Sequence, residues 1–187
     1  MHNQKSSKRK LSVVMLATAA ILAFGPSSIF AQDVATGTAT ANVLAVLAVS
    51  ATHDLDFGDV LQGVPDIASK TVIADAGVFE ITGEGDREVA MQMQLPDYLW
   101  NTTNTDRLVI SFSSTDADLD TTTAGTPAVH GGGAITNVDP HNIPETPLGG
   151  TDNILKIFLG GTVFPTADQR ADAYVADIIL TVAYTGN

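Results

Sequence analysis

The chain has 187 residues, with 21 acidic against nine basic side chains, a formal net charge of −12 and no cysteine. Such a field repels phosphate backbones and anionic lipid headgroups, which argues against nucleic-acid partners and polybasic membrane binding. The missing thiols exclude cysteine nucleophiles, zinc–thiolate sites and iron–sulfur clusters, and leave the core to hold the fold without disulfides.

Residues 1–31 read as a secretory signal peptide. Lys5, Lys8, Arg9 and Lys10 form a positive start, Leu11 to Phe24 is an apolar run of 14 residues, and Gly25-Pro26 breaks it ahead of Ile29-Phe-Ala31 and Gln32. A membrane span needs about 20 apolar residues, so none is expected after cleavage. Residues 32–187 then form a single domain holding five basic and all 21 acidic residues, a net charge of −16. A domain of that length buries about 70% of the surface its unfolded chain exposes. Export follows, to the periplasm, the cell surface or the medium.

Thr38 to Thr52 is a run of small and β-branched residues without a charge, and is expected to be a first buried strand. In His53-Asp-Leu-Asp-Phe-Gly-Asp59, Leu55 and Phe57 point inward, the aspartates outward, and Gly58 marks a bend. Lys70–Ala74 and Gly77–Thr82 are two short strands, and Gly83-Glu-Gly-Asp86 is a turn whose glycines supply positive φ. Glu88 to Leu95 alternates most cleanly, with Val89, Met91, Met93 and Leu95 inside, until Pro96 ends it. Arg107 to Ser113 answers as a partner strand with Leu108, Ile110 and Phe112 on one face.

Residues 114–153 differ in kind. They carry Pro127, Pro140, Pro144 and Pro147, six glycines, six acidic residues and neither Lys nor Arg. The expectation is a long acidic surface loop that adds little to the core, with one short strand near Ala134 and Ile135. Strands resume at Ile154–Phe158 and Thr162–Phe164, and Val175–Tyr184 closes the chain. Ile178, Leu180, Val182 and Tyr184 fall on one face of that last run and Ile179, Thr181 and Ala183 on the other, which predicts a strand buried on both sides. About eight short strands punctuated by glycine and proline, and no convincing helix, predict an all-β sandwich.

The order LDFGDV at Leu55–Val60, FEITGEGDREVAMQMQLP at Phe79–Pro96, LKIFLGGTVFPTADQRADAY at Leu155–Tyr174 and the closing ILTVAY resembles a family of secreted bacterial domains of unknown function. The likeness spans nearly the whole chain after the signal. It implies an immunoglobulin-like β-sandwich, distantly similar to fimbrial and spore-coat-type subunits, in a family with no established enzymatic role. The matching positions are Phe57, Gly58, Phe79, Gly83, Gly160, Gly161, Pro165 and Tyr184, and the resemblance makes all of them core, turn or strand-end residues. Two features depart from it: the 114–153 segment is longer than the usual connection, and Ala176 stands where glycine is typical.

Asp116, Asp118 and Asp120 have D-x-D-x-D spacing, the beginning of a calcium loop. Thr121 and Pro127 stand where an EF-hand needs Gly and Glu, so a solvated acidic loop is the stronger reading and no cofactor is called for. His130, Asp139 and His141 match no zinc motif. There is no G-x-S-x-G elbow, and Gly131-Gly-Gly133 lacks the adjacent Lys of a phosphate cradle. Tyr98 and Trp100 either close one end of the core or stack on a sugar. Asn101-Thr-Thr103 matches a glycosylation sequon that arises often by chance.

The chemistry present therefore points to a structural or interaction protein rather than an enzyme. Its expected form is a fimbria-like or surface-layer subunit that binds protein partners or copies of itself, with the apolar run at Thr38–Ser50 completing its own sandwich rather than a neighbour's. The alternative is a module that binds polysaccharide or cell wall through Tyr98 and Trp100 or an acidic-loop cation.

Overall fold

The computed structural model describes residues 35–123 and 134–186. The signal segment 1–31, His130 and Gly131–Gly133 lie outside the described residues. The chain divides into two compact units, 1–41 and 42–187. Residues 35–41 are exposed and carry neither helix nor strand; the strands all belong to the second unit.

Thirteen strands and no helix make up its regular structure among the described residues: β1 (Ala48–His53), β2 (Asp66–Ala68), β3 (Gly77–Thr82), β4 (Glu88–Gln94), β5 (Tyr98–Asn101), β6 (Arg107–Ser111), β7 (Ala117–Asp120), β8 (Ile135–Val138), β9 (Thr146–Pro147), β10 (Ile154–Leu159), β11 (Gly161–Phe164), β12 (Tyr174–Val175) and β13 (Ile179–Tyr184). They form three antiparallel sheets, ordered β1-β3-β10-β7-β8, β12-β5-β6-β11-β2 and β13-β4-β9. The all-β sandwich expected from the sequence is the fold the chain adopts, with more and shorter strands than eight.

Pro96 explains part of the excess. It has no N–H to donate to a ladder, so the run from β4 into β5 is interrupted there. Gln94 pairs with Ile179 and Trp100 with Val175, so five residues, 95–99, face only three, 176–178. The closing run is thereby split into β12 and β13, and the second and third sheets continue into one another along the same two stretches of chain. Against them lies the first sheet. Ile81, Leu119, Leu155, Ile157 and Leu159 from its inner face meet Val89, Met91, Leu108, Ile110 and Val163 in one core.

Where side chains alternate, expectation and structure coincide. β3 has the predicted bounds, β4 buries Val89, Met91 and Met93, and β10 is buried along almost its whole length. Gly160 sits at the β10–β11 turn because a Cβ there would stand 2.7 Å from the Ala68 carbonyl oxygen and 2.9 Å from the Lys70 nitrogen. At Gly161 it would crowd the Phe112 ring at 3.1 Å.

Five expectations need correction. Residues 114–153 are not an excursion: β7 lies between β10 and β8, and Ala117, Leu119, Val138, Ile143 and Leu148 join the core. The acidic composition misleads because each aspartate of β7 is individually partnered. Lys70–Ala74 is a series of turns, with Val72 N–H donating to Ser69 O and Ala76 N–H to Val72 O; the strand there is β2. In the Gly83–Asp86 turn it is Asp86 that has positive φ, at 61°. Gly83 is required instead for space, since a Cβ would reach 2.9 Å from the Leu148 side chain. β6 pairs with β5 and β11, not with β4.

The fifth concerns the two runs expected to be buried on both faces. β13 is an edge strand: Ile178, Leu180, Val182 and Tyr184 pack on the core, while Ile179 is 50% exposed. β1 pairs with β3 and is exposed over most of its length. Upstream of β1, Val43 and Val46 are 90% and 87% exposed. An edge strand needs only one covered face, so a two-sided apolar pattern does not require burial on both.

Leu119→Ala tests the reassignment of 114–153. Leu119 is fully buried, and a cavity at such a site costs about 2–5 kcal/mol. A loop residue would cost a few tenths, so chemical denaturation distinguishes the two.

Candidate functional site

The strongest surface feature is the outer face of the second sheet. Residues directly opposite across a sheet share a face. Val175 is opposite Trp100 and Trp100 opposite Arg107. In the next row Tyr98 is opposite Val109 and Val109 opposite Phe164. Ile67 continues the face through Thr162. Val175, Trp100, Val109, Phe164 and Ile67 are each at least 40% exposed. The Arg107 guanidinium carbon lies 4.1 Å from the Tyr98 ring centroid, a cation–π contact within the face. Tyr98 and Trp100 are therefore brought together on an outward face. Trp100 does not plug the core; Leu99, between them, packs there.

Behind this face a polar network fixes the sheet end. Asn101 is 1% exposed, and its Oδ1 accepts from the Thr105 and Asp106 N–H groups at 2.8 and 3.0 Å. Its Nδ2 donates to Asp172 at 3.1 Å, so the sequon asparagine is committed to the fold. Tyr174 hydroxyl lies 2.7 Å from Asp106 Oδ2 and 2.8 Å from Arg170 O. It has one proton, and the charged acceptor makes the stronger bond. Gln169 Nε2 donates to the Tyr174 oxygen at 2.9 Å and to Asp106 at 3.1 Å. The Tyr174 hydrogen bond, helped by backbone N–H groups of Arg107 and Arg170, holds the Asp106 carboxyl below its ordinary pKa of 3.8. Burial pushes the Tyr174 hydroxyl above 10.0.

A second feature is an open cleft of about 1100 Å³ along the side of the sandwich. His53 to Gln62 form one bank and Gln169 to Ile178 the other, while Phe79, Leu108, Ile110 and Val163 reach its floor from the core. Phe57 and Pro165 stand in its wall. The Gly58 bend has φ of 61°, and its N–H donates to Asp56 Oδ1 at 2.8 Å. Tyr184 closes the opposite end of the edge, accepting from Glu84 N–H at 2.7 Å and donating to Ala45 O at 3.0 Å.

The D-x-D-x-D carboxylates go to separate partners. Asp116 accepts from Ser113 N–H and Oγ, both at 2.7 Å. Asp118 lies 2.6 Å from Lys70 Nζ and accepts from Asn137 N–H at 2.7 Å. Asp120 accepts from Thr122 N–H and Oγ1. Asp139 accepts from the backbone N–H and ring of His141, which lowers its pKa. No group of three or more His, Asp or Glu placed to hold a metal occurs among the described residues, and no helix there is long and apolar enough to cross a membrane. Sequence reasoning missed Lys70 and the Val109–Phe164–Val175 extension of the aromatic face. The alternation of Arg107–Ser111 carried the second signal, since it leaves Val109 outside.

The geometry thus defines an all-β sandwich with an aromatic outer face and an open lateral cleft. Compared with family models, curated proteins and solved structures, the chain matches none.

Because Asp106 has a depressed pKa in the folded chain, its ionised form stabilises the fold fully above the ordinary carboxylate value of 3.8. That contribution is lost as pH falls through the lower folded value. Tyr174→Phe removes the leading cause. The variant is expected to be less stable than the parent at neutral pH, with the gap narrowing in acid; thermal unfolding across that range checks it, and a constant gap would show that the carboxylate contributes nothing.

Proposed function

We propose that the protein is a non-catalytic, exported interaction subunit that assembles with copies of itself through its open side. The observation that carries this reading is the lateral cleft, whose floor is core and whose banks are the unpaired flank of the sandwich. β1 and β13 are both sheet edges, and an extended apolar segment pairs readily with such an edge while its alternate side chains fill the groove. The chain itself carries a segment of that kind: Val43 and Val46 stand exposed just ahead of β1. β1 pairs with β3 of its own chain, in line with completion of that sheet from within, and Ala45 ahead of it is tied to Tyr184 and Glu84, so what is left over for a neighbour is the outward pair Val43 and Val46. A fimbria-like or surface-layer array is the corresponding larger structure.

A second reading has its own support. Tyr98, Trp100 and Phe164 share an outward face, and aromatic rings so placed offer a surface for sugar rings to stack on. In this reading the protein holds polysaccharide or cell wall.

Size measurement of the full chain by light scattering tests the first. Oligomers are expected for the parent and monomers for Val43→Asp/Val46→Asp, whose substituted positions are too exposed to affect the fold by more than about 0.5 kcal/mol. A parent that stays monomeric at high concentration sinks the assembly reading. Retention on immobilised polysaccharides, lost in Trp100→Ala, tests the second; retention indifferent to that change removes the aromatic face from consideration.

A further inference from the structure

We infer that Lys70 and Asn137 form an intramolecular isopeptide bond, with Asp118 as the proton-transferring group between them. The inference is independent of the proposed function and rests on three side chains converging from separate elements. Lys70 follows β2, the edge of the second sheet, and Asn137 belongs to β8, an edge of the first; Asp118 is on β7 beside it. Lys70 Nζ lies 2.6 Å from Asp118 Oδ1 and 3.1 Å from Asn137 Oδ1. The Lys70 ammonium thus already rests against the carboxamide it would attack, donating to the oxygen bonded to Cγ.

The local fold serves this convergence. Ala117 pairs with Val138 and Leu119 with Ile135, so Thr136 and Asn137 together face the single residue Asp118. Such a bulge re-aims a side chain that regular pairing would place elsewhere. Asn137 has φ of 60° and donates its N–H to Asp118 at 2.7 Å. Lys70 is anchored further by Thr115 O at 2.6 Å and Ala117 O at 3.3 Å. Gly160 permits the approach, since a Cβ would collide with the Lys70 backbone.

The geometry places Asp118 to take the proton. Asp118 is 1% exposed and lies opposite Phe158, which is fully buried with Ala76 and Val78 in a small apolar cluster. Asp118 Oδ1, 2.6 Å from the ammonium, is the group within reach to take its proton, which gives the amine that the reaction requires. Asp118 takes a proton from Lys70, and the amine lone pair forms a bond to Asn137 Cγ. The added proton on the attacking nitrogen passes through Asp118 to the departing Nδ2, the Cγ–Nδ2 bond breaks, and ammonia leaves through the exposed side of Asn137. Asp118 keeps the proton it first removed, so no unpaired charge is left buried when the lysine becomes an amide. An ammonium, a carboxylate and a carboxamide have become a secondary amide, a carboxylic acid and ammonia, with no oxidant, metal or other reactant. The product ties the edge of one sheet to the edge of the other.

The intact mass of the folded full chain tests this. The expected mass lies below the sequence mass by one ammonia. Tryptic digestion should lose cleavage after Lys70 and yield peptide 108–156 attached to the peptide containing Lys70. Lys70→Arg keeps the ion pair and Asn137→Ala keeps the amine; both should lose the branched product and regain the full mass at this site. Asp118→Asn, verified as folded by circular dichroism, should remain linear. Linear peptides through both Lys70 and Asn137 in the parent overturn the inference. So does an ammonia loss that persists in Lys70→Arg, which would place the chemistry at another residue, and a folded Asp118→Asn that crosslinks like the parent removes Asp118 from the reaction.

Discussion

The closed side of this sandwich depends on one buried ion pair. Asp118 stands in a strand between two neighbours, 1% exposed and next to a buried phenylalanine. A carboxylate in that position is strongly destabilising unless a partner and hydrogen bonds offset its lost hydration. Lys70 supplies the charge and Asn137 N–H a hydrogen bond. Removing the lysine would leave an uncompensated buried charge, typically a loss of about 3–5 kcal/mol. The turn segment that carries Lys70 must then cross from the second sheet to the outside of the first, and this crossing covers Ala76, Val78 and Phe158. One pair thereby sets the path of the 69–76 turns, the burial of β7 and the docking of β8.

The opposite side has no equivalent. β1 and β13 end their sheets, and the aspartates of the 54–59 segment face outward along the bank of the cleft. These charges discourage indiscriminate edge pairing, as charged edges do generally. The hydroxyl of Tyr184 bridges Glu84 N–H and Ala45 O at one end of this side, while the cleft remains open at the other. The asymmetry between a clamped flank and an open one is the feature most relevant to how the molecule meets partners.

How much of this was legible in the sequence depends on whether the signal was local. β3, β4, β6 and β10 announce themselves by alternation or by continuous apolar runs, which reflect one or two buried faces directly. β7 could not be read that way. Its sequence, Ala-Asp-Leu-Asp, is as consistent with a solvated loop as with a strand, because the residue that makes Asp118 tolerable, Lys70, lies far back in the chain. Asp86 escaped for a different reason: two glycines nearby are sufficient in principle for a positive φ, yet their role is to admit neighbouring side chains. At the candidate site Tyr98 and Trp100 were recognisable as a pair by their spacing. Whether they faced in or out turned on Leu99 packing inward, a tertiary fact.

The aromatic face is backed by polar groups on the reverse of the same strands. Trp100 points out while Asn101, the next residue, points in and holds the Thr105 and Asp106 N–H groups, so the turn between β5 and β6 has one shape. Asp106 in turn anchors Tyr174, and Tyr174 precedes Val175, which sits opposite Trp100. Trp100 and Val175 are thus each next in sequence to a residue whose side chain is held by hydrogen bonds. Aromatic side chains on a backbone held in this way lose little further freedom on meeting a ligand or a partner, which is the energetic advantage of a preorganised surface. The same residues 169–174 form one bank of the cleft, so the network that stiffens the outer face also fixes the width of the opening beside it.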